Sequence, residues 1–166
     1  MTFSLEIFLK ILYHVYVRWS IVNKKKKSTE ELLDILDSKQ DTLSKYLEEN
    51  NDQFINDNIS SILNKILLDK NLEKRTVIKK SGLNSNYAYQ LFNGKKNNPS
   101  RNMIICLCIG MNLTLEETQK VLKECKFSVL YPKIERDSII IYGICHKKSI
   151  IDINILLQDN NQELLN

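Results

Sequence analysis

Hydrophobic residues recur every three or four positions along most of this chain, as they do on one face of an α-helix. The clearest example is the stretch 59–70, where five aliphatic side chains share one helical face: Ile59, Ile62, Leu63, Ile66 and Leu67. A Ser or Thr with an acid three residues later, the capping-box pattern of a helix start, occurs at Ser28 and Glu31, Thr114 and Glu117, and Ser149 and Asp152. The pattern predicts an all-α chain.

Turn-forming residues divide the stretch 58–126 into five predicted helices. They are expected over 59–70, 74–81, 85–92, about 101–110 and about 115–126. Gly82 would end the second helix, because a sharp turn needs a left-handed residue and glycine adopts that conformation without steric cost. Asn84 or Ser85 would cap the third helix, and Ser100 would cap the fourth.

The segments on both sides of these five helices are also predicted to be helical. Residues 28–57 would form two short acidic helices, and residues 127–166 a C-terminal helical hairpin that could supply a dimer contact. Three consecutive isoleucines, Ile139 to Ile141, could mark a strand. A strand needs a partner and the chain offers none, so a buried helix is favoured there.

Residues 1–27 form an apolar stretch that ends in a run of four lysines. Within it, ionisable residues spaced four apart would lie on one helical stripe: Glu6, Lys10, His14 and Arg18. Charges at a bilayer centre are costly, which argues against a membrane-spanning helix. The positive charge follows the apolar stretch and no small-residue cleavage site occurs, which argues against a signal peptide. An amphipathic helix on a membrane or partner surface remains open, but an extension outside the folded unit is favoured.

Charge is distributed unevenly along the chain, although the total is only +4. Residues 28–58 carry nine acids and two bases, a net charge of −7, whereas residues 70–101 carry eight bases and one acid, a net charge of +7. The basic stretch suits binding to a polyanion. The chain has only 4 Gly and 2 Pro, which argues against an all-β fold and against glycine-rich nucleotide-binding architectures.

The sequence offers little for catalysis or metal binding. Its two histidines, His14 and His146, belong to no nucleophile or metal motif, and no glycine loop for phosphate occurs. The cysteines lack zinc-site spacing and are predicted to be reduced core thiols of a cytoplasmic protein: Cys106, Cys108, Cys125 and Cys145. We therefore expect neither an enzyme nor a bound cofactor.

The stretch 77–100 has a more specific pattern. It begins with the aliphatic Val77, continues through the turn glycine Gly82, and ends with Asn93-Gly94-Lys95 and Pro99-Ser100. This stretch resembles the Cro/cI-type (XRE-like) helix-turn-helix family over about residues 58–126. The segment from Gly110 to Glu117 is similar to the family's link between its fourth and fifth helices. The resemblance implies a five-helix DNA-binding domain whose third helix enters the major groove. The chain departs from the family at Glu73, where a Ser or Thr usually caps the second helix.

The resemblance, together with helix geometry, assigns roles to side chains. The residues expected to read bases point outward from the third helix: Ser85, Asn86, Tyr89 and Gln90. Those expected to contact phosphates lie at helix ends and in the basic loop: Lys74, Arg75, Asn84, Lys95, Lys96 and Arg101. The alternative is that Tyr87 and Tyr89 pack at the edge of the core and the lysines only aid solubility.

Two functions follow as hypotheses. The first is a sequence-specific transcriptional regulator, a repressor in its simplest form, that binds double-stranded DNA as a homodimer at an inverted repeat. The second is a protein-interaction adaptor, such as the antitoxin-like partner of another protein. A further hypothesis, which rests on charge asymmetry alone, is that the acidic segment occupies the basic groove and holds the protein off DNA.

Overall fold

A computed structural model describes residues 26–38, 42–54 and 58–165, and in these ranges regular structure is helical, with no strand. The charged stripe expected at residues 6–18 lies outside the described residues. The chain divides into two compact units, an N-terminal unit (Met1–Phe54) and a C-terminal unit (Ile55–Asn166). The all-α prediction is confirmed for the described chain. None of the helices described is long and apolar enough to cross a bilayer.

The N-terminal unit contains the two short acidic helices that the sequence predicted, α1 (Thr29–Asp37) and α2 (Leu43–Glu49), followed by a 3-10 turn (Asn51–Gln53). The capping box of Ser28 and Glu31 begins α1 as expected. Tyr46 is buried, and its ring meets the ring of Phe54 edge-on at 6.3 Å. Most leucines of these helices remain exposed: Leu33, Leu36, Leu43 and Leu47.

The C-terminal unit contains seven helices within residues 58–165, in chain order α3 (Ile59–Asp69), α4 (Lys74–Lys80), α5 (Ser85–Phe92), α6 (Arg101–Gly110), α7 (Leu115–Glu124), α8 (Glu135–Cys145) and α9 (Ile150–Asp159). The predicted caps of the later helices are confirmed, since Ser100, Thr114 and Ser149 each accept a hydrogen bond from a backbone N–H three residues on. The Ile-rich segment is helical, as the sequence favoured.

All seven helices share one hydrophobic core. Its fully buried side chains come from the five-helix segment and from the C-terminal hairpin alike: Leu63, Leu91, Ile104, Leu122, Ile140, Ile153 and Leu157. The hairpin buries its apolar face against the rest of this unit. The five-helix segment and the hairpin therefore lie in one compact unit, and the N-terminal unit ends at Phe54.

Helices α4 and α6 approach each other closely at Gly110. A Cβ atom on Gly110 would lie 2.7 Å from the carbonyl oxygen of Val77, far inside van der Waals contact. Glycine is therefore required at this position by the distance between the two helices. The contact holds α4 against the centre of the core.

The C-terminal unit contains a structural repeat of two helices. The first copy is the pair α6 and α7, and the second copy is the pair α8 and α9. Equivalent residues of the two copies lie 35 positions apart, as Arg101 and Arg136 do. The turn inside each pair has a residue with positive φ at the same place, Asn112 (φ 55°) and Lys147 (φ 53°). Another residue with positive φ, Lys126 or Asn161, lies two positions after the end of each second helix.

The hydrogen bonds that close each repeat are also equivalent. Gln119 accepts from the backbone N–H of Leu130 at 2.7 Å, and Asn154 accepts from that of Leu165 at 3.0 Å. The guanidinium of Arg101 donates to the backbone carbonyls of Ser128 and Val129. That of Arg136 donates to the equivalent carbonyls of Glu163 and Leu164. In each copy, one arginine and one side-chain amide therefore bind the extended segment that follows the helix pair.

Candidate nucleic-acid interface

Helix α5 presents a polar face to solvent and an apolar face to the core. Ala88, Leu91 and Phe92 are buried. The four residues predicted to read bases lie on the opposite face of the helix. Ser85, Asn86 and Tyr89 are exposed there, and Gln90 is half-buried. The structure therefore brings the predicted set together on one helix.

The connection from α4 to α5 is short and fixed by local hydrogen bonds. Gly82 has a positive φ of 65°, as its predicted role in the turn requires. The hydroxyl of the buried Ser81 donates to the carbonyl oxygen of Ile78 at 2.8 Å. The sequence allowed Asn84 or Ser85 as the cap of α5, and the cap is Asn84. Its side-chain oxygen accepts a hydrogen bond from the backbone N–H of Tyr87 at 3.1 Å. Asn84 is thus a helix cap in addition to its predicted place among phosphate contacts.

The basic loop is attached to the end of α5. The backbone N–H groups of Lys95 and Lys96 both donate to the carbonyl oxygen of Gln90, at 2.9 and 3.2 Å, and Gly94 adopts a positive φ of 71°. Both lysine side chains are exposed. The structure therefore places two cations immediately beyond the polar face of α5.

Two further bases lie at the start of α4. The ammonium of Lys74 lies 5.2 Å from the ring centroid of Phe92, a cation–π contact that positions this charge near the end of α5. Arg75 is exposed. The side chain of Glu73, at the position where the resembled family usually has a Ser or Thr cap, makes no capping bond to α4. It instead accepts a hydrogen bond from the hydroxyl of Thr76 at 2.7 Å.

Arg101 differs from the other predicted phosphate contacts because its guanidinium already binds within the C-terminal unit. It donates to both carboxylate oxygens of Asp137, at 3.0 and 2.8 Å, and to the carbonyls of Ser128 and Val129. Four donor contacts leave little of the five-donor guanidinium for a ligand. The structure gives Arg101 a role in joining α6 to α8.

A residue that no sequence motif indicated also positions α5. The side-chain amide of Asn64 on α3 donates to the carbonyl oxygen of Phe92, the last residue of α5, and to that of Ser60, both at 2.8 Å. In the sequence it stands out only as an asparagine that directly follows Leu63 in the amphipathic stretch 59–70. Asn64 therefore fixes the carboxyl end of α5 against α3.

Three of the four cysteines are buried as predicted, Cys106, Cys108 and Cys125, but Cys145 is exposed. The prediction that all four are core thiols is wrong for Cys145, which is the last residue of α8. Burial raises the pKa of the Cys106 thiol to about 12 and that of Cys125 to about 11. No group of three His, Cys, Asp or Glu side chains in the described ranges could hold a metal ion.

Charged side chains also line a groove between α3 and α7. Its floor contains Ile62 and Val121, and its rim includes an ion pair in which Lys70 and Glu117 lie 2.6 Å apart. A hydrogen bond from Lys70 lowers the pKa of Glu117. Charges of both signs alternate on this rim, so the groove lacks the single sign of charge that the α5 surface has.

We found no known protein family, curated protein or solved structure that matches this chain significantly.

Proposed function

We propose that this protein is a sequence-specific DNA-binding transcriptional regulator built on a Cro/cI-type five-helix domain, α3 to α7. In this proposal α4 and α5 form the helix-turn-helix and α5 enters the major groove. The observation that carries the proposal is the polar outer face of α5, bordered by Lys95 and Lys96. Asn and Gln side chains on such a face have the donor and acceptor pair that fits an adenine edge.

Base reading and backbone binding fall to different residues. Asn86 and Gln90 would contact bases, with Ser85 and Tyr89 beside them. Lys74, Arg75, Lys95 and Lys96 would contact phosphates, with the exposed Asn84 as an uncharged contact. Arg101 is left out of the phosphate set because Asp137 already binds it.

Two copies would bind an inverted repeat whose half-sites lie about 34 Å apart, one turn of DNA. We propose repression as the regulatory outcome, because a protein seated in the major groove excludes others from the same DNA. We also propose that the protein acts in the cytoplasm, where its thiols would stay reduced.

The test is a salt titration of binding to random duplex DNA and to a duplex selected by the protein. Lys95→Glu/Lys96→Glu should weaken binding to both duplexes and flatten the dependence on salt, because each phosphate contact releases about one counterion. Asn86→Ala/Gln90→Ala should weaken only binding to the selected duplex, since base contacts carry the sequence information.

Lys147→Glu/Lys148→Glu is the charge-matched control, because it makes the same change in the turn between α8 and α9. It should leave DNA binding nearly unchanged once long-range charge is screened by salt. The proposal fails if the intact protein binds neither duplex at low salt, or if the two lysine pairs have equal effects.

A second function, a protein-interaction adaptor, is favoured by one observation. The acidic helices α1 and α2 leave four leucines exposed, Leu33, Leu36, Leu43 and Leu47, although the unit is small. Exposed leucines among acids suit a partner with a basic-edged apolar groove. Capture of a partner that is lost on Leu33→Asp/Leu43→Asp, with DNA binding absent, would favour the adaptor.

A further inference from the structure

The two structural repeats differ at two surface positions of their second helices. On α7 the exposed positions include Glu116 and Lys120, which are charged. The equivalent positions on α9, 35 residues later, hold Ile151 and Ile155, which are 72% and 51% exposed. The same fold therefore tolerates charge at these two positions, and the second repeat has aliphatic residues there.

Neither isoleucine is needed by the core. Helix α9 packs inward through Ile150, Ile153 and Leu157, all of them buried. Ile151 and Ile155 lie four residues apart on the opposite side of the helix, so they form one exposed apolar stripe. The fold accepts charged residues at the equivalent positions of α7, so it does not require isoleucine here. An exposed apolar stripe that the fold does not require indicates a surface that contacts another molecule.

Charge decides which kind of partner fits this stripe. A two-fold contact pairs one surface with an identical one, so a surface dominated by one sign of charge repels its own copy. Helix α9 contains no base, and of its two acids Asp152 accepts hydrogen bonds from the N–H and hydroxyl of Ser149. The α4 and α5 surface, by contrast, is cationic and would repel its own copy.

We propose that the Ile151 and Ile155 stripe of α9 binds the same stripe of a second copy of this chain. This inference rests on the proposed function in one respect, since the pairing supplies the two α5 helices that an inverted repeat requires. The contact is a two-fold pairing of α9 helices, in which four isoleucines leave water together. Because the stripe is small, the dimer is a concentration-dependent one.

The test is sedimentation equilibrium of the full chain up to about 200 µM, a range that detects weak dimers. The unaltered protein should dimerise, and Ile151→Glu/Ile155→Glu should be monomeric with an unchanged thermal transition. Leu68→Glu is the matched control, because Leu68 is 81% exposed on α3 and should not affect dimerisation. The inference is overturned if the unaltered protein stays monomeric, if the double variant still dimerises, or if Leu68→Glu dissociates the dimer equally.

A cross-linking measurement covers the case in which the charged variant fails to fold. Ile155→Cys in a Cys145→Ser background should form a covalent dimer with a short bismaleimide, whereas Leu68→Cys in the same background should not. Equal cross-linking of both, or of neither, contradicts the pairing.

DNA binding separates this inference from the proposed function. The Ile151→Glu/Ile155→Glu variant should keep salt-dependent binding to random DNA and lose joint occupancy of an inverted repeat. The Lys95→Glu/Lys96→Glu variant should lose DNA and still dimerise. A dimer that forms through α9 in a protein that binds no DNA would leave the inference standing and remove the proposed function.

Discussion

Arg101, the first residue of the first structural repeat, forms a bidentate ion pair with Asp137, in the first turn of α8. The two guanidinium nitrogens lie 3.0 and 2.8 Å from the two carboxylate oxygens, and the backbone N–H of Tyr131 donates to the carboxylate at 3.0 Å. The Asp137 side chain is almost wholly buried. Burial by itself raises its pKa, but the hydrogen bonds from Arg101 and Tyr131 outweigh burial and hold the pKa below its ordinary value of 3.8.

Asp137→Asn should lower the free energy of unfolding by about 3 kcal/mol, because it removes one partner of a buried pair and leaves the Arg101 charge uncompensated. Urea unfolding followed by circular dichroism measures the change. Asp159→Asn, an exposed carboxylate at the end of α9, is the control and should change stability little. A cost near zero for Asp137→Asn would mean that the pair contributes no net stability.

The stability of the unaltered protein should fall more steeply in acid than that of Asp137→Asn. Because the folded-state pKa of Asp137 is lowered, its contribution is fully present above pH 3.8 and is lost as the pH falls through the folded-state pKa. The gap between the two proteins should therefore be constant from pH 5 to 8 and narrow below pH 4. A constant gap throughout would assign the effect to packing.

Gly110→Ala should destabilise the protein by about 3 kcal/mol, since the new methyl group would push α4 away from α6 and overpacking costs are of this size. The equivalent position of the second repeat offers a control, because Cys145 is exposed there and Cys145→Ala should be nearly neutral. Thermal unfolding of both variants measures the difference. Equal effects would contradict the close approach of the two helices.

The native protein should react with Ellman's reagent at one thiol, that of Cys145. Burial raises the pKa values of Cys106, Cys108 and Cys125, so these thiols are protonated near neutral pH and shielded from the reagent. Cys145→Ser should abolish the fast reaction, and all remaining thiols should react in denaturant. Fast reaction of a second thiol would show an open path into the core.

Arg75 and Arg101 should behave differently although both were predicted to contact phosphates. Arg75→Gln should reduce the salt dependence of DNA binding by about one counterion without affecting stability, because Arg75 is exposed. Arg101→Gln should lower the melting temperature and leave the salt dependence unchanged where the protein is folded. A reduced salt dependence for Arg101→Gln would return this residue to the phosphate set.

The tandem repeat leaves a weak trace in the sequence. Pairs spaced 35 positions apart keep their identity, among them Arg101 and Arg136, and Leu122 and Leu157. Conservative pairs such as Gln119 and Asn154 add to the signal. The repeat is weak in composition because each copy packs against different neighbours. The buried Met111, Leu113 and Cys125 of the first copy correspond to polar residues in the second, His146, Lys148 and Asn160.

Local features of this chain were determined by the sequence alone. Helix starts at Ser100 and Thr114, the turn at Gly82 and the outward face of α5 depend on residues within a few positions of one another, and they lie where the pattern predicted them. Capping and turn preferences act over one helical turn, so they can be read without knowing the fold.

Other features were decided only by the tertiary structure. Arg101 meets Asp137 across 36 positions, and no local rule indicates whether a basic helix start will face DNA or a buried carboxylate. The exposure of Cys145, Ile151 and Ile155 likewise depends on which side of each helix its neighbours cover. Periodicity identifies an apolar face, but packing between distant segments determines which apolar residues become core and which remain on the surface.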